Sequence, residues 1–137
     1  MATPETFEPI EEFLKSQWTV TPLVFENEDW PTPDEPEPFV FVEIFGDLMD
    51  QASIGAETVA ANRWRENGQL SLHVLVPRGG GTRKARQLSR QLYDLFRGQE
   101  IGAIRFGTAS IGAGEPGEMD GNYYRMTVTI DVERDEG

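Results

Sequence analysis

The sequence predicts an α+β fold: one domain over residues 1–137, a single mixed, mainly antiparallel sheet of about four to five strands with two helices packed on one face. Three observations predict it. Residues 69–98 read as a buried strand (QLSLHVLVP), a glycine turn (RGGG) and an amphipathic helix (TRKARQLSRQLYDLFRG). FVFVEIFG, residues 39–46, is dense in β-branched and aromatic residues and suits an antiparallel partner of residues 69–76. Near the start, Phe7, Ile10, Phe13, Leu14 and Trp18 fall at helical spacing. A chain this long builds one two-layered core.

The first helix is expected from near residues 6–9 to Trp18. Glu8, Glu11 and Glu12 load its early turns in favour of the dipole, and Pro9 is harmless in the first turn. TVTPLVFEN forms a short edge strand whose pairing Pro22 limits. Residues 26–38 interleave prolines with acids, which makes an extended, semi-rigid connector. On the next strand Val40, Val42 and Ile44 share one face, while Phe39, Phe41, Glu43 and Phe45 share the other. Both faces are largely apolar, so one meets the helices and the other a second layer, long loops or a neighbouring subunit.

Residues 47–61 have no clean period and read as a long excursion. Asn67-Gly68 fits a type I′ hairpin turn or a bulge within one long strand. The bulge is preferred, because residues 69–76 then supply the partner of 39–46. The second helix, 82–97, has Thr82 as N-cap, Gly98 as its C-terminal glycine and an apolar stripe of Ala85, Leu88, Leu92, Leu95 and Phe96. Its outer face carries Arg83, Lys84, Arg86, Arg90 and Arg97. A strand near 101–111, a loop over 112–121 and a half-buried strand from Tyr123 to about Glu133 follow, with a frayed tail near 133–137.

Cysteine is absent, which excludes disulfides, thiolate metal sites and a cysteine nucleophile. No run approaches the ~18 apolar residues of a membrane span. MATPETFEP lacks the basic and apolar regions of a signal peptide, so a soluble, unexported chain is expected. The net charge of -12 is segregated: residues 1–61 hold fourteen acids against Lys15 alone, 62–106 nine bases against three acids, and 107–137 seven acids against two bases. A polyanionic surface disfavours general nucleic-acid binding. Acidic flanks of one copy meeting the basic centre of another would instead steer a head-to-tail ring.

The candidate chemistry is thin. His73, the single histidine, has no second imidazole or thiolate to complete a usual zinc set and reads as a packed or hydrogen-bonded strand residue. RGGGTRKAR lacks phosphate-loop spacing, so the glycines read as a tight strand-to-helix turn. Arg83 and Lys84 sit in the first turn of their helix, where the dipole disfavours cations, which suggests that they serve a partner's carboxylates or a phosphate backbone. The tetrapeptides ASIG at 52–55 and 109–112 lack the first glycine of a serine elbow. Glu115, Glu118 and Asp120 match no calcium loop and read as a solvated or partner-facing acidic loop. No catalytic, cofactor or metal set is expected, and an enzyme is not the expected class.

In its order of helix, proline-rich acidic connector, FVFVEIFG strand, DQASIG loop, RWRENGQLSLHVLVP strand, GGGT turn and basic helix, the chain resembles the tail-terminator proteins of long-tailed bacteriophages and related gene transfer agents. The likeness runs from Phe7 to Phe96 and rests on the ASIG tetrapeptide, the Arg63 and Arg65 pair, and the Val76 to Gly81 junction. The resemblance implies a homo-hexameric ring on the head-proximal end of the tail tube, at the tail-neck junction of a virion assembled in the host cytoplasm. Such a ring stops tube polymerisation and meets the neck or head-completion protein. Double-stranded DNA would pass through it without specific binding, and no membrane is involved. Candidate interface residues are Arg63, Arg65, Arg78, Arg83, Lys84, Arg86, Arg90, Phe39, Phe41, Phe45, Asp47 and Asp50, with Glu115, Glu118 and Asp120 facing a partner or the lumen. The alternatives are a nucleic-acid-binding module using the 63–97 surface and another neck or head-completion protein.

Overall fold

The structure, a computed structural model, describes residues 3–28, 37–51, 64–112, 118–120 and 123–136, with backbone alone at 46–51, 118–120 and 136. Helix α1 (Pro4–Gln17) and helix α2 (Arg83–Phe96) lie on one side of a mixed sheet. Its strands are β1 (Leu23–Phe25), β2 (Phe39–Gln51), β3 (Trp64–Pro77), β4 (Glu100–Ile101), β5 (Ile104–Ile111), β6 (Glu118–Asp120) and β7 (Tyr123–Glu136). The order across the sheet is β1-β2-β3-β7-β5-β4, with β6 paired to the start of β7. Only the β1–β2 pair is parallel among the described strands.

The α+β class, the two helices on one face and the mainly antiparallel sheet match the expectation. The expected four to five strands undercount it, for two local reasons. The stretch near 101–111 breaks into a hairpin at Gly102-Ala103, where Gly102 takes φ +58, as the first position of a type II′ turn requires. Part of the expected 112–121 loop pairs as β6.

Alternation decides which side chains enter the core. Val40, Val42 and Ile44 of β2, Leu70, Leu72, Val74 and Val76 of β3, and Met126, Val128, Ile130 and Val132 of β7 all face the helices and are buried. From above, α1 contributes Ile10 and Leu14, and α2 contributes Ala85, Leu88, Leu92 and Phe96. Phe96 joins the two helices and the sheet, with its ring centroid 5.3 Å from Phe13 and 5.0 Å from Phe106. α2 lies over β3, β7 and β5, whereas α1 reaches β1 through Phe7 against Phe25.

Asn67-Gly68 lies inside one long β3, not in a hairpin turn. The extra residue of the bulge is Asp47 on the facing strand, since Gly46 pairs with Gly68 and Leu48 with Asn67. Past that bulge β2 continues to Gln51, so the expected excursion starts later than residue 47. A bulge breaks the period of two, and Gly46-Asp47 imitates a strand end. The end of the chain differs likewise: Glu133, Arg134, Asp135 and Glu136 pair with Asn67, Glu66, Arg65 and Trp64, so the expected frayed tail belongs to the sheet up to residue 136. Most of the proline-rich connector falls outside the described residues.

α1 starts at Pro4 rather than near residues 6–9, which puts Pro9 inside the helix instead of its first turn. The reason lies in β3. Glu66 accepts hydrogen bonds from the Thr3 N–H (2.9 Å), the Thr3 hydroxyl (2.6 Å) and the Thr6 hydroxyl (2.8 Å), so a carboxylate sixty residues away caps the helix and complements its dipole.

Candidate functional site

Three surfaces carry groups that chemistry or a partner could use. The first is the sheet face opposite the helices. At its β1 end Val24, Phe39 and Leu75 form a second small cluster, with Phe41 and Tyr123 packed against it. Tyr123 meets Phe39 edge-on at 5.1 Å. Val24, Phe39, Phe41 and Leu75 line a hollow of about 270 Å³ together with Glu28, His73 and Arg125. Phe45, further along β2, stands 38% exposed.

His73 lies in the same row, between Phe41 on β2 and Thr127 on β7. Its Nδ1 is 2.8 Å from the Thr127 hydroxyl, its Nε2 is 2.5 Å from Glu43, and its ring stacks on Phe41. Both ring nitrogens are thus engaged, as expected of a packed, hydrogen-bonded strand histidine, and neither is left to ligate a metal. No cluster of three metal-ligating side chains occurs among the described residues.

The second surface is a ladder of charge at the other end of the same face. Register places Arg65 beside Asp135, and Arg105 beside Glu133. Arg65 Nε donates to Asp135 at 2.7 Å, and Arg105 bridges Glu133 and Asp135. The hydrogen bond from Arg65, followed by the charges of Arg105 and Arg65, holds the Asp135 carboxyl below the ordinary aspartate range against the opposing effect of burial. Arg65 is therefore committed to its own chain.

The third surface is the outer face of α2. Arg83, Lys84, Arg86, Arg90 and Arg97 are all exposed. Arg90 and Arg97 share Asp94, at 3.1 and 3.9 Å, and both lie over the Tyr93 ring. Arg83 and Lys84 have no acidic partner among the described residues, nor does Arg86, whose Nε donates to the Thr82 hydroxyl at 2.9 Å. Thr82 consequently does not act as the expected side-chain cap: its hydroxyl serves Arg86, and its carbonyl accepts the Arg86 N–H. The glycine turn before it carries φ +90 at Gly79 and φ +77 at Gly81, the tight strand-to-helix turn expected.

The expected interface residues are thus dispersed. Phe39, Phe41 and Phe45 share the sheet face opposite the helices, whereas Arg83, Lys84, Arg86 and Arg90 sit on the far side of the helical layer. Arg78 is exposed in the turn between β3 and α2. Asp47 is the bulged residue, Asp50 pairs in register with Arg65, and Glu118 and Asp120 pair with Arg125 and Tyr123 on β7. Arg63 and Glu115 lie outside the described residues. Sequence reasoning missed the buried Glu66 and Arg134, 5% and 7% exposed, and the Arg105 bridge. Alternation alone could have flagged Arg134, which shares the face of Ile130 and Val132.

These features define a class: an α+β domain whose sheet carries helices on one face and a smaller, partly aromatic cluster on the other, with an acidic excess on α1 and a basic excess on α2. No family model matches the chain. No curated protein matches it either. Among solved structures, 24 chains match. One of them, whose name describes no function, superposes with a TM-score of 0.56 at 17% identity, covering 93% of this chain and 88% of its own. At that identity the likeness concerns the fold alone.

Proposed function

We propose that the chain is a structural virion protein of the tail-terminator kind, a homo-oligomeric ring on the head-proximal end of a tail tube that stops its growth and joins it to the neck. The observation that carries this reading is the sheet with two apolar sides: the helices cover one, while on the other Phe39 and Leu75 are buried, Phe41 and Tyr123 are half-buried and Phe45 is exposed. A surface of that kind suits a partner subunit. The acidic excess supports the same role, because a negative lumen keeps passing duplex from adhering. Function in this reading lies in assembly, and no residue acts as a catalyst.

Native mass spectrometry and negative-stain microscopy of the pure protein, alone and with tail-tube subunits, test the proposal. Rings in the first preparation and capped tubes in the second are expected; a persistent monomer that leaves tube ends bare refutes it. One observation favours a second reading, a nucleic-acid-binding module: Arg83, Lys84 and Arg86 are exposed cations without acidic partners among the described residues. That reading requires DNA affinity that falls steeply with salt, and a low-salt mobility-shift assay without a shifted band removes it.

A further inference from the structure

Building on the ring reading, we infer that the start of α2 docks against the outer stripe of α1 of a second copy, so that Arg83, Lys84 and Arg86 meet Glu5, Glu8 and Glu12. The stripe is explicit: residues 5, 8 and 12 recur on one helical face, and all three are exposed. None of the three is within ion-pair distance of a cation among the described residues, whereas Glu11, on the same helix, is held by Lys15 at 3.5 Å.

Three features of the α2 start converge on a carboxylate. Its two leading residues are cations placed against the helix dipole, and no acid occupies the first turn. Thr82 gives that turn no side-chain cap, so the leading N–H groups keep their capacity for an outside acceptor. Nothing among the described residues explains this arrangement, since there Arg83 and Lys84 pair with no acid and oppose their own helix.

The two charged regions cannot neutralise each other within one copy. α1 begins at Glu66 near the start of β3, and α2 begins beyond Pro77 at the other end of that strand. Eleven residues of extended chain separate these ends by about 36 Å. Glu12 stands only about 10 Å along α1 from Glu5. The remaining gap exceeds the screening length of about 8 Å at physiological salt. The contact therefore needs a second copy. It joins two different patches, so it is heterologous and propagates until rotation closes it into a ring. A second copy is preferred to nucleic acid as occupant because the chain carries -12 overall, which opposes a polyanion and attracts nothing but a locally basic surface to α1.

The test uses charge exchange, read by native mass spectrometry and sedimentation velocity across concentration and salt. Arg83→Glu with Lys84→Glu, and separately Glu8→Lys with Glu12→Lys, are each expected to raise the concentration for half-assembly at least tenfold. The α2 reversal favours the helix dipole, so its effect is not loss of fold; circular dichroism of both variants confirms the same helix content. Mixing the two variants one to one restores assembly with alternating subunits, because each α2 then faces an α1 of opposite sign. Wild-type rings together with variants that assemble at the wild-type concentration overturn the inference and leave the ring reading standing. A wild type that stays monomeric overturns both. If the α2 reversal abolishes binding of a duplex DNA probe while assembly is unchanged, the occupant is nucleic acid and the inference fails.

Discussion

Glu66→Ala is the perturbation with the largest consequence that the fold defines. The Glu66 carboxylate takes three donors from the start of α1 and lies 3.4 Å from the Arg134 guanidinium, whose Nε in turn donates to the Thr6 hydroxyl at 3.1 Å. Truncation removes the Glu66 anion from a buried guanidinium. Breaking a buried pair from one side costs about 3–5 kcal/mol, and the lost helix cap is contained in that figure rather than added to it. Domains are stable by about 5–15 kcal/mol, so the variant loses about a fifth or more of its stability. For a chain of this size the melting temperature should fall by on the order of 10–17 °C. Urea titration followed by fluorescence of the buried Trp18 measures it, against a control in which Glu66→Leu and Arg134→Met together recover most of the loss. A loss below about 1 kcal/mol would show that the pair behaves as a solvated surface pair and sink the account of why α1 starts at Pro4.

The same site sets a pH dependence. Burial pushes the Glu66 carboxyl up, but donation from Thr3 and Thr6 and the charge of Arg134 outweigh it and hold the group below the ordinary glutamate range. A depressed folded value gives stability that is present above the unfolded value, about 4.3, and lost as pH falls through the folded one. The stability gap between wild type and Glu66→Gln should therefore be full at pH 6 and narrow progressively as pH falls below the unfolded value of about 4.3. A gap that stays constant down to pH 3 contradicts this.

Other sites give sharper local readouts. Gly98 closes α2 at φ +73 with open space where a Cβ would stand, so Gly98→Ala should cost about 1–2 kcal/mol through backbone strain alone, measured by urea unfolding. Glu26 accepts the Ile44 N–H at 2.8 Å on the edge of β2 past the end of β1, so Glu26→Ala should cost about 1–3 kcal/mol and speed hydrogen exchange at that amide selectively. Leu92 is fully buried between α2 and the sheet, and Leu92→Ala should cost about 2–5 kcal/mol, scaling with the cavity that remains by crystallography.

What was legible in the sequence was whatever periodicity encodes. The alternation in β2, β3 and β7 assigned the correct face to each of the buried valines, leucines and isoleucines, because a period of two has no other realisation beside a helical layer. The stripe of α2 and its glycine stop were legible for the same kind of reason. Features set by pairing between distant segments were not. Pro9 read as a first-turn proline because local rules see no carboxylate arriving from β3, and ERDE read as a frayed tail because charge density hides that Arg134 points inward toward Glu66.

The candidate surface was legible in the opposite proportion. Exposed cations on α2 could be named from the helical period, but which of them are spent within the chain depends on tertiary neighbours. Arg65 belonged to a conspicuous basic pair, yet Asp135, seventy residues on, takes it up by strand register. Arg90 and Arg97 are partly answered by Asp94. Subtracting these leaves Arg83, Lys84 and Arg86, gathered at one helix start and opposed to that helix's own dipole. The same subtraction on α1 leaves Glu5, Glu8 and Glu12 among the described residues, since Glu11 has Lys15. Net charge alone does not separate these two groups of side chains. In the proposed ring, these uncompensated charges of opposite sign, placed towards opposite ends of β3, would direct one copy onto the next.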